Sequence, residues 1–285
     1  MKPDRKFIYV SLFTLSWALA IFFRKLALNL GAHPVAFLMQ SGLVSVSILT
    51  TYIALLKRKQ LKKIKKHTLK GLGFMGMLVG FAWIADTWGL KLTTSINYSF
   101  IIKSGFVFSI IFAYIFFGEK ITKHKMYLII LFLVGVYFLT TGGTSIIPKA
   151  GDLLVILAAL FYSGSTIMQK NLVKQLDSDI VAWIRTSSAV FVLGIFLSFI
   201  HLQNFAIVEP VYIVIVGALL ALTTIYLNKA LTVSSVTYLT MMTMTVPVLN
   251  VLLGTLVLHE SITSIQLVGG VIILLSAGVV QFLKI

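Results

Sequence analysis

Leu92-Thr93-Thr94-Ser95-Ile96-Asn97-Tyr98 returns 140 residues later as Thr232-Val233-Ser234-Ser235-Val236-Thr237-Tyr238. A second echo follows the first. Phe117-Gly118-Glu119-Lys120-Ile121-Thr122 matches Leu258-His259-Glu260-Ser261-Ile262-Thr263, with the two glutamates 141 residues apart. One inserted residue reconciles the spacings, and both lie close to half of the 285-residue chain. The sequence therefore reads as a duplication. Each half carries five apolar runs, at 7–23, 34–56, 71–90, 94–117 and 125–142, then 151–169, 179–200, 209–229, 234–258 and 263–282. Five crossings per half is an odd number, so the second half stands inverted relative to the first.

Composition fixes what these runs are. The chain is 59% apolar and 11% charged, with a mean hydropathy of +1.01. A soluble domain carries about a quarter charged residues, and a disordered chain needs low hydrophobicity; both classes are excluded. Every run is long enough to cross a bilayer as a helix, which takes about 20 residues. The runs are continuous and lack the alternation of membrane barrel strands. The fold class is an all-α polytopic membrane protein of ten transmembrane helices, with repeats at 1–145 (helices one to five) and 146–285 (helices six to ten). Met1 to Lys6 is basic and Ala18-Leu19-Ala20 looks like a signal-peptidase site. The apolar run continues through Phe23, and cleavage would break the repeat, so an uncleaved first helix is expected.

The net charge of +16 comes from 24 Lys and Arg against 8 Asp and Glu. With the N-terminus cytoplasmic, 18 basic residues fall on the inner side and Arg24, Lys25, Lys91 and Lys149 on the outer. That asymmetry predicts cytoplasmic N- and C-termini in a cell inner (plasma) membrane. It also makes the excess an orientation signal rather than a nucleic-acid surface. The lysine-rich segment 57–70 is expected to touch anionic lipid headgroups. Cysteine is absent, which excludes disulfides and thiolate chemistry. No cofactor, metal or catalytic residue is expected. The predicted partners are a small-molecule substrate and the lipid bilayer, with the chain a monomer or homodimer.

On the two echoes, the ten runs and a proline within helix nine, the chain resembles the drug/metabolite transporter superfamily, in its ten-helix form with two EamA repeats. The resemblance covers essentially the whole chain. It departs from the family pattern at His259, which replaces a glycine before the second glutamate. Phe106 stands where the first half would carry the counterpart of Pro247, and Leu128 and Ser276 occupy positions often glycine. The resemblance implies alternating access around a cavity lined chiefly by helices three, four, eight and nine, with contributions from one and six. Inverted repeats place a substrate near the midplane between the halves. The expected activity is secondary transport of small metabolites, with efflux of amino acids or related carboxylate-bearing compounds favoured. An integral membrane enzyme or flippase acting on lipid-linked substrates is the alternative. It would need clustered acids at an interface, whereas the eight acids here are scattered and no P-loop, H-E-x-x-H or G-x-S-x-G occurs.

Charges inside a membrane helix mark candidate sites. Lys103 lies roughly 13 Å along helix four, near the middle of a core about 30 Å thick, and its predicted partner is Asp86. The pair would either break between states or bind a zwitterion, one charge each; a permanent salt bridge is the structural alternative. Arg185 lies roughly 7–8 Å deep, close enough to snorkel or to form a gate ion pair. Trp83, Trp17, Ser99, Tyr98, Tyr162, Tyr226, Tyr238, Met241 and Met244 complete the candidate lining. Gly76-x-x-x-Gly80 permits close helix packing, and Pro247 is expected to kink helix nine. Glu119 and Glu260 lie on opposite sides of the membrane and read as structural or gating residues beside helix N-termini, with Thr122 and Thr263 as N-caps.

Overall fold

The computed structural model describes residues 5–61, 64, 66–93, 98, 100–147, 149–199, 210–258 and 261–282. Ser99 and Glu260 lie outside the described residues, as does part of the lysine-rich segment. The described chain folds into ten helical elements and, among these residues, no strand. They are α1 (Arg5–Asn29), α2 (Pro34–Leu61), α3 (Lys66–Leu92), α4 (Ser104–Phe117), α5 (Lys123–Thr141), α6 (Gly151–Leu172), α7 (Ser178–Phe199), α8 (Pro210–Val233), α9 (Val236–Val257) and α10 (Ser264–Phe282). All but α4 are long and apolar enough to cross a membrane. They run alternately up and down, so residues 5, 61, 117, 172, 233 and 282 share one end of the bundle, called here the terminal end.

The inter-helix contacts repeat across the two halves. Helix α3 packs on α6 and α7, and its counterpart α8 packs on α1 and α2. Helix α5 pairs with α10, and α4 with α9. Exchanging the halves maps each pairing onto another, as an inverted repeat requires. Missing side chains bring the crossings together. A Cβ on Gly76 would stand 2.1 Å from Ser188 Cβ, and one on Gly80 2.4 Å from Val192 Cβ, so α3 and α7 touch backbone to side chain. Gly217, 141 residues after Gly76, does the same for α8 against α2, where its Cβ would meet Val44 Cβ at 2.6 Å. Gly76→Ala is expected to cost about 1–3 kcal/mol by overpacking. Melting of the purified protein checks it, and adding Ser188→Gly should restore most of the loss by returning the space.

Local chemistry sets the helix ends. His33 caps α2 by accepting from the Ala36 amide through Nδ1 at 3.5 Å, with Pro34 in the first turn, where no amide hydrogen is required. Gly118 ends α4 in the left-handed conformation (φ 63°), its amide donating to Tyr114 and that of Glu119 to Ala113. This is why a glycine precedes the glutamate of the first echo. Thr122 caps α5 and Thr263 caps α10, the latter reciprocally with Gln266.

Three irregularities depart from plain helices. The α-helix of α2 passes at Ile53–Lys57 into a π turn, whose wider turn rotates the last residues about the axis. In α9 a 3-10 turn at Thr243–Thr245 precedes Pro247, so the expected kink takes the form of a tightened turn. The run predicted as one helix over 94–117 is continuous only from Ser104, and Lys103 is its N-cap residue. Here Lys103 donates its amide to Phe100 and Gly105 to Ile102, three residues back rather than four. The adjacent Ser104-Gly105 pair is the kind of sequence at which helices kink.

Candidate functional site

Asp86, on α3, is 4% exposed and does not pair with Lys103. The Tyr98 hydroxyl donates to its Oδ1 at 2.6 Å, and the Arg24 guanidinium of α1 stands 3.8 Å from Oδ2. The expected Lys103–Asp86 pair is thereby corrected. Axial depth alone would bring the two residues close, but Tyr98 and not Lys103 faces the carboxylate. Arg24 is not the outer-side loop charge expected from the sequence, because α1 continues to Asn29 and carries it within the helix.

Lys103 has an aromatic neighbour instead of an acid. Its Nζ lies 5.3 Å from the centre of the Trp17 ring, within cation–π range, and Trp17 stacks on Phe13 at 5.5 Å. No carboxylate lies within ion-pair distance of it among the described residues. Helix α4 meets α6 just beside this point, where Ser163 donates to the Gly105 carbonyl at 2.9 Å and Ser109 donates to Ser163 at 3.1 Å.

Arg185, on α7, is half-buried in the bundle. Its Nε is fully buried and has no hydrogen-bond partner. Among the described residues no acid pairs with it either. Tyr162 of α6 lies within the electrostatic reach of Asp86, Arg24 and Arg185. Trp83 is buried with Val79, Leu193 and Val190, against which Tyr162 also packs.

The remaining candidates lie apart from this group. Tyr238 is 1% exposed, donates to Gln281 and carries Lys6 over its ring at 3.5 Å. Met241 and Met244 are buried in the main apolar cluster with Phe106 and Phe132. Tyr226 contacts Tyr9 ring to ring at 6.5 Å, with Lys229 at 5.8 Å above it. Pro247 sits behind the tightened turn of α9 described above.

Glu119 reaches across the repeat. It accepts from the Val236 amide at 2.9 Å, the Thr237 amide at 3.0 Å and the Thr237 hydroxyl at 2.5 Å, and so holds the first turn of α9. Lys170 completes the grip on the preceding turn by donating to the Leu231 and Ser234 carbonyls at 2.7 and 2.6 Å. Beside them at the terminal end is a cluster absent from the sequence reading. Asp179 takes a hydrogen bond from Tyr52 at 2.8 Å and lies 3.5 Å from Lys57 and 3.6 Å from Lys229. Lys57 also binds Asp177 at 2.7 Å. Burial would raise the Asp177 carboxyl, but the Lys57 hydrogen bond and the Asp179 and Ile180 amides outweigh it, holding the group below its ordinary range. Lys57 is the last residue of the π turn of α2, and no pattern in the sequence marks that turn. At the opposite end Asp152 of α6 accepts from Thr93 and from the Lys149 amide.

The chain has recognisable relatives. The profile of the EamA-like transporter family matches it twice, over residues 5–141 and 149–282. An uncharacterized transporter of Methanothermobacter thermautotrophicus is 34% identical over 110 residues, which is 37% of this chain and 32% of that one. The match thus spans about a third of the relative's length. A protein crystal structure superposes with a TM-score of 0.78 at 15% identity, covering 98% of this chain and 96% of the other. That likeness speaks for the fold alone.

Proposed function

Since the chain belongs to the EamA-like transporter family, we propose that it is a secondary transporter exporting small carboxylate-bearing metabolites, amino acids or related compounds, across the plasma membrane by alternating access. One observation carries the substrate class. Lys103 is a cation within the bundle with an aromatic ring beside it and, among the described residues, no carboxylate to neutralise it. A buried charge without a partner is costly, and in membrane proteins such residues line substrate paths. A substrate carboxylate would supply the missing charge, with Trp17 and Tyr162 facing its apolar part.

The inverted repeats supply the means of movement. Substrate sites in such folds lie between halves that rock about them. Here Asp86, Arg24, Tyr98, Thr93 and Asp152 tie helices at one end, while Glu119, Lys170, Lys57 and Asp179 tie them at the terminal end. Alternating access requires one set to part while the other holds. The distribution of basic residues supports cytoplasmic termini, which makes the terminal end the inner gate.

Purified protein in liposomes tests the reading. Vesicles loaded with an unlabelled compound should accumulate the same compound in labelled form, saturably, for at least one member of a panel of amino acids, monocarboxylates and dicarboxylates. Absence of such exchange across the whole panel would overturn it.

A further inference from the structure

We infer that Arg24 and Asp86 form a zwitterion site near the end of the bundle opposite the termini, where a small solute's carboxylate takes the guanidinium and its ammonium takes Asp86. This rests on the transporter reading above and narrows its substrates to compounds carrying both charges close together.

The pair is attracted but not joined. Arg24 Nη1 stands 3.8 Å from Asp86 Oδ2, beyond hydrogen-bond length. Arg24 Nη2 is buried without a hydrogen-bond partner. Among the described residues the Asp86 carboxylate takes one hydrogen bond, from Tyr98 to Oδ1, and none on Oδ2. A buried ion pair offsets its desolvation only when further hydrogen bonds satisfy the remaining donors and lone pairs, and here some stay unfilled on both partners. One ligand has the complementary groups. A guanidinium fork receives a carboxylate through two parallel hydrogen bonds, and an ammonium brings three donors to Asp86 Oδ2 and the Tyr98 oxygen beside it.

The surroundings agree. At 1.5 Å per residue, Arg24 lies about 8 Å from the Asn29 end of α1 and Asp86 about 9 Å from the Leu92 end of α3, so both stand at one level. The Arg24 side chain is 21% exposed, which leaves the guanidinium accessible. Tyr98 and Tyr162 lie within electrostatic reach of both charges. Trp83, one turn before Asp86 on α3, is buried in the cluster against which Tyr162 packs, and the two rings make a wall for the apolar part of a solute. Lys103, about 9 Å nearer the terminal end by the same count, is a separate point on the path.

Charge balance sets the selectivity. A carboxylate alone would draw Arg24 away and strand Asp86, and an amine alone would strand Arg24. An uncompensated buried charge is strongly unfavourable. A zwitterion compensates both partners, and in separating them it loosens α1 from α3 at the end that must open.

Three compounds of one skeleton isolate the charges. Phenylalanine carries both, hydrocinnamate only the carboxylate and phenethylamine only the ammonium. Leucine, 4-methylpentanoate and 3-methylbutylamine repeat the series without a ring. Binding to the purified full-length protein is read by the shift in melting temperature, and exchange by uptake of label into proteoliposomes. In at least one series the zwitterion is expected to bind at least tenfold tighter than both analogues. Asp86→Asn should lose at least tenfold for the zwitterion and under threefold for the carboxylate analogue. Arg24→Gln should do the same against the amine, while Asp86→Glu keeps the preference. A merely structural ion pair would lower the melting temperature of the neutral variants and leave the ranking unchanged, which would overturn the inference. So would an analogue that binds as tightly as its zwitterion in both series. If the neutral variants do not fold, the wild-type ranking and Asp86→Glu decide. Exchange of carboxylates without amino groups, with no zwitterion bound, would sink this site and leave the transporter reading standing. No binding and no exchange of any compound would sink both.

Discussion

Lys103→Met is expected to reduce carboxylate exchange in proteoliposomes by two orders of magnitude or more, with the protein still folded. Losing the partner of a desolvated carboxylate costs about 3–5 kcal/mol, and 1.4 kcal/mol is a factor of ten. The usual objection to removing a buried charge is that its partner is left stranded. Here no acid among the described residues depends on Lys103, because Asp86 is held by Tyr98 and Arg24. Methionine replaces the stem with a flexible apolar chain of similar length, so the melting temperature should hold or rise. Collapse of the fold would mean that Lys103 is a structural charge. Unchanged exchange would remove it from the site.

Asp179→Ala is expected to do the opposite, striking stability before transport chemistry. The carboxylate is 2% exposed and receives Tyr52, Lys57 and Lys229 from two other helices. Without it, two ammonium groups and a hydroxyl face one another across the terminal end. Breaking a fully buried pair costs about 3–5 kcal/mol. The lysine side chains keep some water, at 27% and 31% exposure, and Lys57 retains Asp177, so about 3 kcal/mol is the expected loss. Denaturation in detergent measures it, and a change within half a kcal/mol would show that the cluster is decorative. Asp177 also sets an acid limit. Its folded carboxyl is held below the unfolded value, so its contribution is present above about pH 4 and disappears as the pH falls through the folded value. The melting difference between wild type and Asp177→Asn should therefore shrink on acidification.

The ten helices were legible because burial in lipid leaves long continuous apolar runs, and the duplication because Glu119 and Tyr98 had recognisable partners half a chain away. Gly76 and Gly80 were readable from spacing as a close contact, though not that α7 would be the neighbour. The charged contacts were not readable. Depth along straight helices suggested Lys103 for Asp86, but Tyr98 and not Lys103 faces the carboxylate. For Arg185 the depth along α7 was legible but not the packing around its Nε, which is buried without a hydrogen-bond partner. The Asp179 cluster includes Lys57 at the end of a π turn, and a wide turn leaves no mark in hydrophobic periodicity. Sequence reported where each residue lies along its helix; the rotation about the axis and the neighbouring helix came from tertiary packing.

Glu119 also has a bearing on synthesis. The carboxylate that holds the first turn of α9 is made over a hundred residues before the amides it receives. While the second half is still emerging, that glutamate stands at the end of the bundle, where water can keep it solvated. When Ser235 and its neighbours arrive, the junction between α8 and α9 meets an acceptor already waiting. A second half produced on its own would lack the carboxylate that holds this turn.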